Sequence, residues 1–208
     1  ALSVLLRAFR RSTYVASTPN DASGMPPALT QHGVVGIGSS AIRAMRTALL
    51  QDLGDDAGAT RLQELGYAAG GEIYRSFCEW LPSYAGVADP GDLDAGALTE
   101  VMSVFFRELG WGTATVERTG TKGLTVFSTD WAEAPVEAGL DGPSCFFSTG
   151  LLASFFTALA GGSPLAVMEI ECRGQGDEHC RFLAGSPETL SAVYEAVTEG
   201  TDYRTVLG

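Results

Sequence analysis

The densest group of reactive side chains lies in Glu169 to Cys180, which reads Glu-Ile-Glu-Cys-Arg-Gly-Gln-Gly-Asp-Glu-His-Cys. Cys172 and Cys180 flank a seven-residue interval that holds two glycines and several polar residues. The β-rich runs on either side, Pro164 to Ile170 and Arg181 to Leu183, make this two strands joined by a tight polar connection, with a thiol at each end. Thiols so placed can meet across a hairpin. They could form a disulfide, half of a metal site, or two unrelated core thiols, and the Cys-x7-Cys spacing alone does not choose. Structural zinc takes thiolates and imidazoles with an occasional carboxylate. The candidates to complete such a site are Cys78 and Cys145 farther away, and Glu169, Glu171, Glu178 and His179 close by. Free cysteines are also at home in an apolar core.

Other chemistry has little support. Neither His32 nor His179 stands near a serine or cysteine in a nucleophile elbow, so hydrolysis is not indicated. The glycine-rich run Gly33 to Gly38 lacks the preceding strand and the later glycine phasing of a nucleotide loop. The remaining asset is apolar volume, in Phe146, Phe147, Leu151, Phe155 and Phe156 on one segment and Phe105, Phe106, Trp111 and Trp131 before it. These residues are either plain core or the lining of a pocket for an apolar ligand.

The elements that must position these residues follow from periodicity and punctuation. The 208 residues suit one domain with an extension. Residues 1–35 read as an arm: an amphipathic helix over Ala1 to Ala16 with Leu2, Leu5, Leu6 and Phe9 on one face, then a loop over Ser17 to Pro27. The arm either packs on a partner subunit or is a poorly ordered extension. His32 reads as structural or surface. Ser39 or Ser40 caps a helix to about Leu53, with Ile42, Met45, Leu49 and Leu50 inward. Asp56 caps a long helix from Ala57 to Leu81, with Leu62, Leu65, Ala69, Ile73, Phe77 and Trp80 inward, and Pro82 ends it. Its Gly66, Gly70 and Gly71 mark either a kink or the close approach of another group. Cys78 reads as a core thiol. Asp94 caps a third helix over Ala95 to Leu109. Trp111 to Arg118 and Leu124 to Thr129 form a hairpin. An acidic irregular stretch over Asp130 to Gly142, with room for a short helix, precedes the aromatic helix over Ser144 to Leu159. The cysteine hairpin and a last helix over Pro187 to Glu199 complete the chain. The two hairpins predict an α+β fold, one four-stranded antiparallel sheet with helices covering one face.

Several of these segments carry a resemblance. Pro143-Ser144-Cys145-Phe146-Phe147, Thr149-Gly150, Met168-Glu169-Ile170-Glu171-Cys172 and Gly176-Asp177-Glu178-His179-Cys180-Arg181-Phe182 resemble the 4-vinyl-reductase-type small-molecule-binding domain. That family includes sensor domains of phenol-responsive activators and shares its fold with subunits of the TRAPP vesicle-tethering complex. The resemblance covers roughly Leu29 to Leu207 and is sharpest from Pro143 to Phe182. It implies residues 36–208 as the ligand-binding domain and a structural zinc on Cys145, Glu169, Cys172 and Cys180. In a regular strand Glu169 and Cys172 point to opposite faces, so this set requires a bulge near Ile170 or Glu171; His179 is the alternative fourth ligand. It also implies a pocket lined by Phe105, Phe106, Trp111, Trp131, Phe146, Phe147, Leu151 and Phe155. The phenol sensors use an upstream histidine to grip the ligand hydroxyl. Between His32 and His179 this chain has none.

With 13 basic and 25 acidic residues the formal net charge is −12, a surface that repels nucleic acid and anionic membrane. The widely spaced cysteines do not form a secreted disulfide framework. The apolar run Leu2 to Leu6 is too short for a signal, and Cys145 to Ala160 falls short of a membrane span. A cytoplasmic homodimer is expected. The leading functional expectation is non-enzymatic sensing of a small hydrophobic molecule, signalled to a partner. Two alternatives are a tetrapyrrole vinyl reductase or its accessory factor, and a structural assembly subunit with a filled pocket.

Overall fold

The structure, a computed structural model, describes residues 34–134 and 139–208. The arm helix, its loop and His32 lie outside the described residues. So does part of the stretch given room for a short helix; its described parts are turns and bends.

Helix α1, Ser39–Leu53, and the long helix α2, Asp55–Ala85, are joined at Gly54. The start of α2 lies ahead of the expected cap at Asp56, and its end lies beyond Pro82, which sits inside the helix. Gly86, at φ 69°, supplies the left-handed residue that stops the helix. Helix α3, Ala95–Glu108, starts where Asp94 accepts the Ala97 N–H at 2.9 Å. Strands β1, Thr115–Thr119, and β2, Gly123–Ser128, form the first hairpin. Helix α4, Phe146–Leu159, precedes the second pair, β3, Ala166–Glu171, and β4, Cys180–Gly185. Helices α5, Pro187–Thr198, and α6, Arg204–Leu207, end the chain.

The sheet is antiparallel throughout, in the order β1-β2-β4-β3, so the two expected hairpins join through β2 and β4. Alternation along the strands gives it two apolar faces. Val116, Leu124, Val126, Phe182 and Ala184 face the main core under α2, α3 and α4. Leu183, Met168 and Ile170 face a second cluster completed by Leu190 and Val193 of α5 and Leu207 of α6. Helices therefore cover both faces, where the sequence had suggested one. The C-terminal helices supply the second cover because Leu190, Val193 and Leu207 need somewhere to bury.

Helix α4 is apolar around most of its circumference, so it is buried between α2 and the sheet. Its approach to α2 is close: a Cβ on Gly66 would stand 1.9 Å from the Phe147 carbonyl oxygen, and one on Gly150 would stand 2.0 Å from that of Gln63. Gly66 and Gly70 of α2 thus serve a close helix crossing, while Gly71 is exposed. Their side of the helix is core, whereas Leu65, expected inward, is exposed. No helix among the described residues is long and apolar enough to cross a membrane.

Candidate metal centre and adjoining cavity

Cys145 stands at the N-terminal end of α4, Glu169 on β3, Cys172 just past β3 and Cys180 at the start of β4. All four are buried, and one ligand atom from each lies within 4.8 Å of every other. Cys145 Sγ is 4.0 Å from Cys172 Sγ and 3.9 Å from Cys180 Sγ. These are not disulfide distances, and the cysteines are free. They match the roughly 3.8 Å that separates thiolates bound at about 2.3 Å in a tetrahedron.

The bulge that the ligand set required is present. Glu169 pairs with Phe182 and Glu171 with Arg181, so the register shifts between them. The extra residue turns Cys172 round to the face that Glu169 occupies. Glu171 consequently projects from the opposite face, where it meets His179 at 2.6 Å and Arg181 at 2.9 Å. His179 is therefore held outside the cluster, against the Phe127 ring.

Glu169 Oε2 accepts the backbone N–H groups of Ser144 at 2.9 Å and Cys145 at 2.8 Å. It caps α4, whose N-cap side chain makes no such bond. Glu169 Oε1 is buried without a hydrogen-bond partner, an orphan acceptor in a ring of thiols. Burial, with Cys172 alongside, pushes the Glu169 carboxyl up to about 8. The hydrogen bonds among the thiols push Cys145 up and hold Cys172 below the usual thiol range. Three thiols, an unsatisfied carboxylate oxygen and tetrahedral spacing fit a divalent metal ion.

A second carboxylate, which the sequence reading passed over, completes the helix terminus. Glu133 is fully buried and accepts from the N–H groups of Phe147 at 3.0 Å and Ser148 at 2.7 Å, and from the Ser148 hydroxyl. Burial raises its carboxyl to about 7 despite those bonds. Ser148 Oγ in turn accepts from Trp131 Nε1 at 2.7 Å. No sequence spacing ties Glu133 to α4. Its one signal is an acid close to a tryptophan just before an apolar helix.

One turn along α4 a cavity of about 320 Å³ opens between α1, α2 and α4. Ile42, Ala69, Ile73, Trp111, Phe147 and Leu151 are among its walls, and Val34 to Ile37 edge it. Of the residues expected to line a pocket, Trp111, Phe147 and Leu151 do so. Phe105, Phe106, Phe155 and Trp131 are at most 1% exposed and pack together in the core behind it. Phe146 is half-buried and does not line the cavity. Cys78 is half-buried on α2, its thiol raised by burial and hydrogen-bonded with Tyr74.

Residues 127–186, which span the metal cluster, match the family model of the V4R domain. The 4-vinyl-reductase resemblance is borne out there, and the α+β architecture agrees with solved relatives. The phenol-responsive sensory domain of the transcription activator PoxR, solved with phenol, superposes with a TM-score of 0.56 at 19% identity, covering 74% of this chain and 77% of that one. A trafficking protein particle complex subunit 3 from Naegleria fowleri, covalently bound to palmitic acid, gives 0.51 at 15% identity, covering 71% and 91%. A vinyl-4-reductase family protein from Methanocaldococcus jannaschii gives 0.44 at 12% identity, covering 73% and 83%. No curated protein sequence matches the chain.

Proposed function

We propose that this chain is a non-enzymatic receptor domain. It takes a small hydrophobic molecule into the cavity beside α4 and carries a structural zinc on Cys145, Glu169, Cys172 and Cys180. The observation that carries this reading is the apolar cavity walled by Trp111, Phe147 and Leu151, at the low end of the volume range of small-molecule sites. A relative of the same fold is described as phenol-responsive, which supports the same class of ligand. Four protein ligands leave a zinc ion no open coordination position, so its contribution is to tie α4 to the cysteine hairpin. His179 lies on the far face of the sheet, and no described residue of the cavity wall is a histidine. Among the described walls shape and aromatic contact dominate, with Glu72 and Ser39 as the polar side chains that a ligand would meet. Residues 36–208 form the receptor unit. Residues 1–35 would meet a second copy of the chain or another partner that reads cavity occupancy, in the cytoplasm.

A thermal-shift screen of apolar compounds on chain purified without chelators tests the reading. The preparation should carry about one zinc per chain. A compound present at 100 times its dissociation constant should stabilise the fold by about 2.7 kcal/mol. Trp111→Ala, at a half-buried wall position, should abolish that shift at modest cost in stability. Trp131→Ala should cost about 3–5 kcal/mol, as truncation of a buried tryptophan does. A metal-free preparation would remove the zinc. A screen without a single shift would leave a filled assembly subunit in place of a receptor.

A further inference from the structure

Arg46 is a cation out of place. It lies on α1 with 8% of its surface exposed, and among the described residues it stands in no ion pair. A buried guanidinium is costly unless something compensates it. Its Nη1 donates to Ser144 Oγ at 3.2 Å. Ser144 Oγ lies 3.6 Å from Cys172 Sγ. Because the arginine can only donate, it fills a lone pair of the hydroxyl and leaves the hydroxyl proton free. With Cys172 as a thiol either atom can donate across that contact; as a metal-bound thiolate Cys172 Sγ can only accept, and the free hydroxyl proton is then its donor. The backbone N–H of the same serine donates to Glu169 Oε2. One residue thus touches two members of the metal cluster, and Arg46 holds its hydroxyl.

Charge makes the same case. Three thiolates and a carboxylate around a divalent ion leave two negative charges in a buried site. The positive end of α4 offsets part of that charge. Arg46 is the cation that reaches the site, from a helix with no ligand of its own. Its field is shared with Glu133, on the other side of the α4 terminus.

We infer that Arg46 is a positioning residue of the metal centre: through Ser144 it orients Cys172 and compensates the excess negative charge of a Cys3Glu site. This rests on the metal reading above. Outer partners of metal ligands set affinity by about 10–100-fold, and the effect here should be of that size.

Cobalt(II) and zinc(II) titrations of reduced, metal-stripped protein test it, with affinity read by chelator competition and coordination by the thiolate-to-cobalt charge-transfer bands. Arg46→Met should bind both metals about 10–100-fold more weakly, with the bands moved to longer wavelength because the Ser144 hydroxyl that donates to Cys172 is no longer held in place by the guanidinium. Arg46→Lys should recover most of the affinity, since it returns the charge; a merely structural arginine would not be rescued this way. Ser144→Ala removes only the bridging hydroxyl, and should show the same band shift with a smaller loss. If Arg46→Met does not fold, Ser144→Ala decides alone. Wild-type affinity and wild-type bands in the variant that folds overturn the assignment while leaving the metal centre intact. A wild-type protein that takes up neither ion overturns both.

Discussion

Two buried glutamates divide the N-terminus of α4 between them. Glu169 takes the N–H groups of Ser144 and Cys145, and Glu133 takes those of Phe147 and Ser148, so three donors that the helix leaves unpaired, at Cys145, Phe147 and Ser148, and that of Ser144 just ahead of it are satisfied by side chains. Glu133 makes this measurable. Its carboxyl titrates at about 7 in the folded chain, against 4.5 ordinarily, because burial disfavours the charge. The folded state keeps the proton where the unfolded chain releases it. The contribution to stability is then full below about pH 4.5 and is lost as pH rises to about 7, with a slope of at most about 1.4 kcal/mol per pH unit. Arg46 and Cys145 also face this charge, and Glu169 shifts in the same direction. Glu133→Gln should therefore flatten, though not abolish, the fall in stability over that window, as denaturant unfolding at several pH values would reveal. Parallel wild-type and variant profiles would show that Glu133 is not the group that titrates. The four-residue cluster was legible through the family resemblance; the Cys-x7-Cys spacing alone did not choose it. The sequence hid Glu133 and Arg46 because each is a charged residue where polarity implies solvent. Arg46 does fall one turn after Ile42 on the inward face of α1, a position that a reading of apolar residues alone passes over.

At the scale of elements, the fold was largely written in the chain. Asp94 starts the third helix where expected, and both expected strand pairs formed. What misled was the assumption that helix faces are marked by large apolar residues. On α2 the face against α4 runs through Gly66 and Gly70, so Leu65 is left outside. Pro82 is tolerated because it sits in the last turn, where the helix is about to end. Neighbouring glycines of α2 should accordingly respond with opposite signs to alanine. At Gly71 the added Cβ would meet only Ser154 Oγ, at 3.8 Å, and the better helix propensity of alanine should stabilise the protein by about 0.5–1 kcal/mol. At Gly70 the Cβ would stand 2.3 Å from the Leu151 carbonyl oxygen, and on α4 Gly150→Ala would meet that of Gln63. Backbone cannot step aside as a flexible side chain can, so each should cost about 1–3 kcal/mol or more. Chemical denaturation of the three variants is sufficient; if all three stabilise, the helices do not cross this closely.

For the molecule as a whole, the consequence of this arrangement is that the candidate metal cluster and the cavity share one helix. The cluster meets the start of α4 through Cys145 and Glu169, and Phe147 in the first turn and Leu151 one turn further on form cavity wall. Helix α1 repeats the connection: Ser39 and Ile42 line the cavity, Arg43 donates to the carbonyl of cavity residue Ala132 at 3.1 Å, and Arg46 reaches Ser144 one turn later. A ligand that packs against Phe147 therefore favours the helix position that the metal also favours. Such shared dependence is a coupling free energy, and it acts equally in both directions. Stripping the metal should weaken a cavity ligand about fivefold or more, and saturating that ligand should tighten metal binding by the same factor. The two halves can be measured independently, by titrating a compound found in the thermal-shift screen into metal-loaded and metal-free protein, and by chelator competition with and without that compound. The second half does not depend on the stability of the metal-free protein. Equal factors would identify α4 as the element that carries occupancy of the cavity to the rest of the molecule. Unchanged affinities in both experiments would mean that the metal is only a staple and that any signal leaves the cavity by another route.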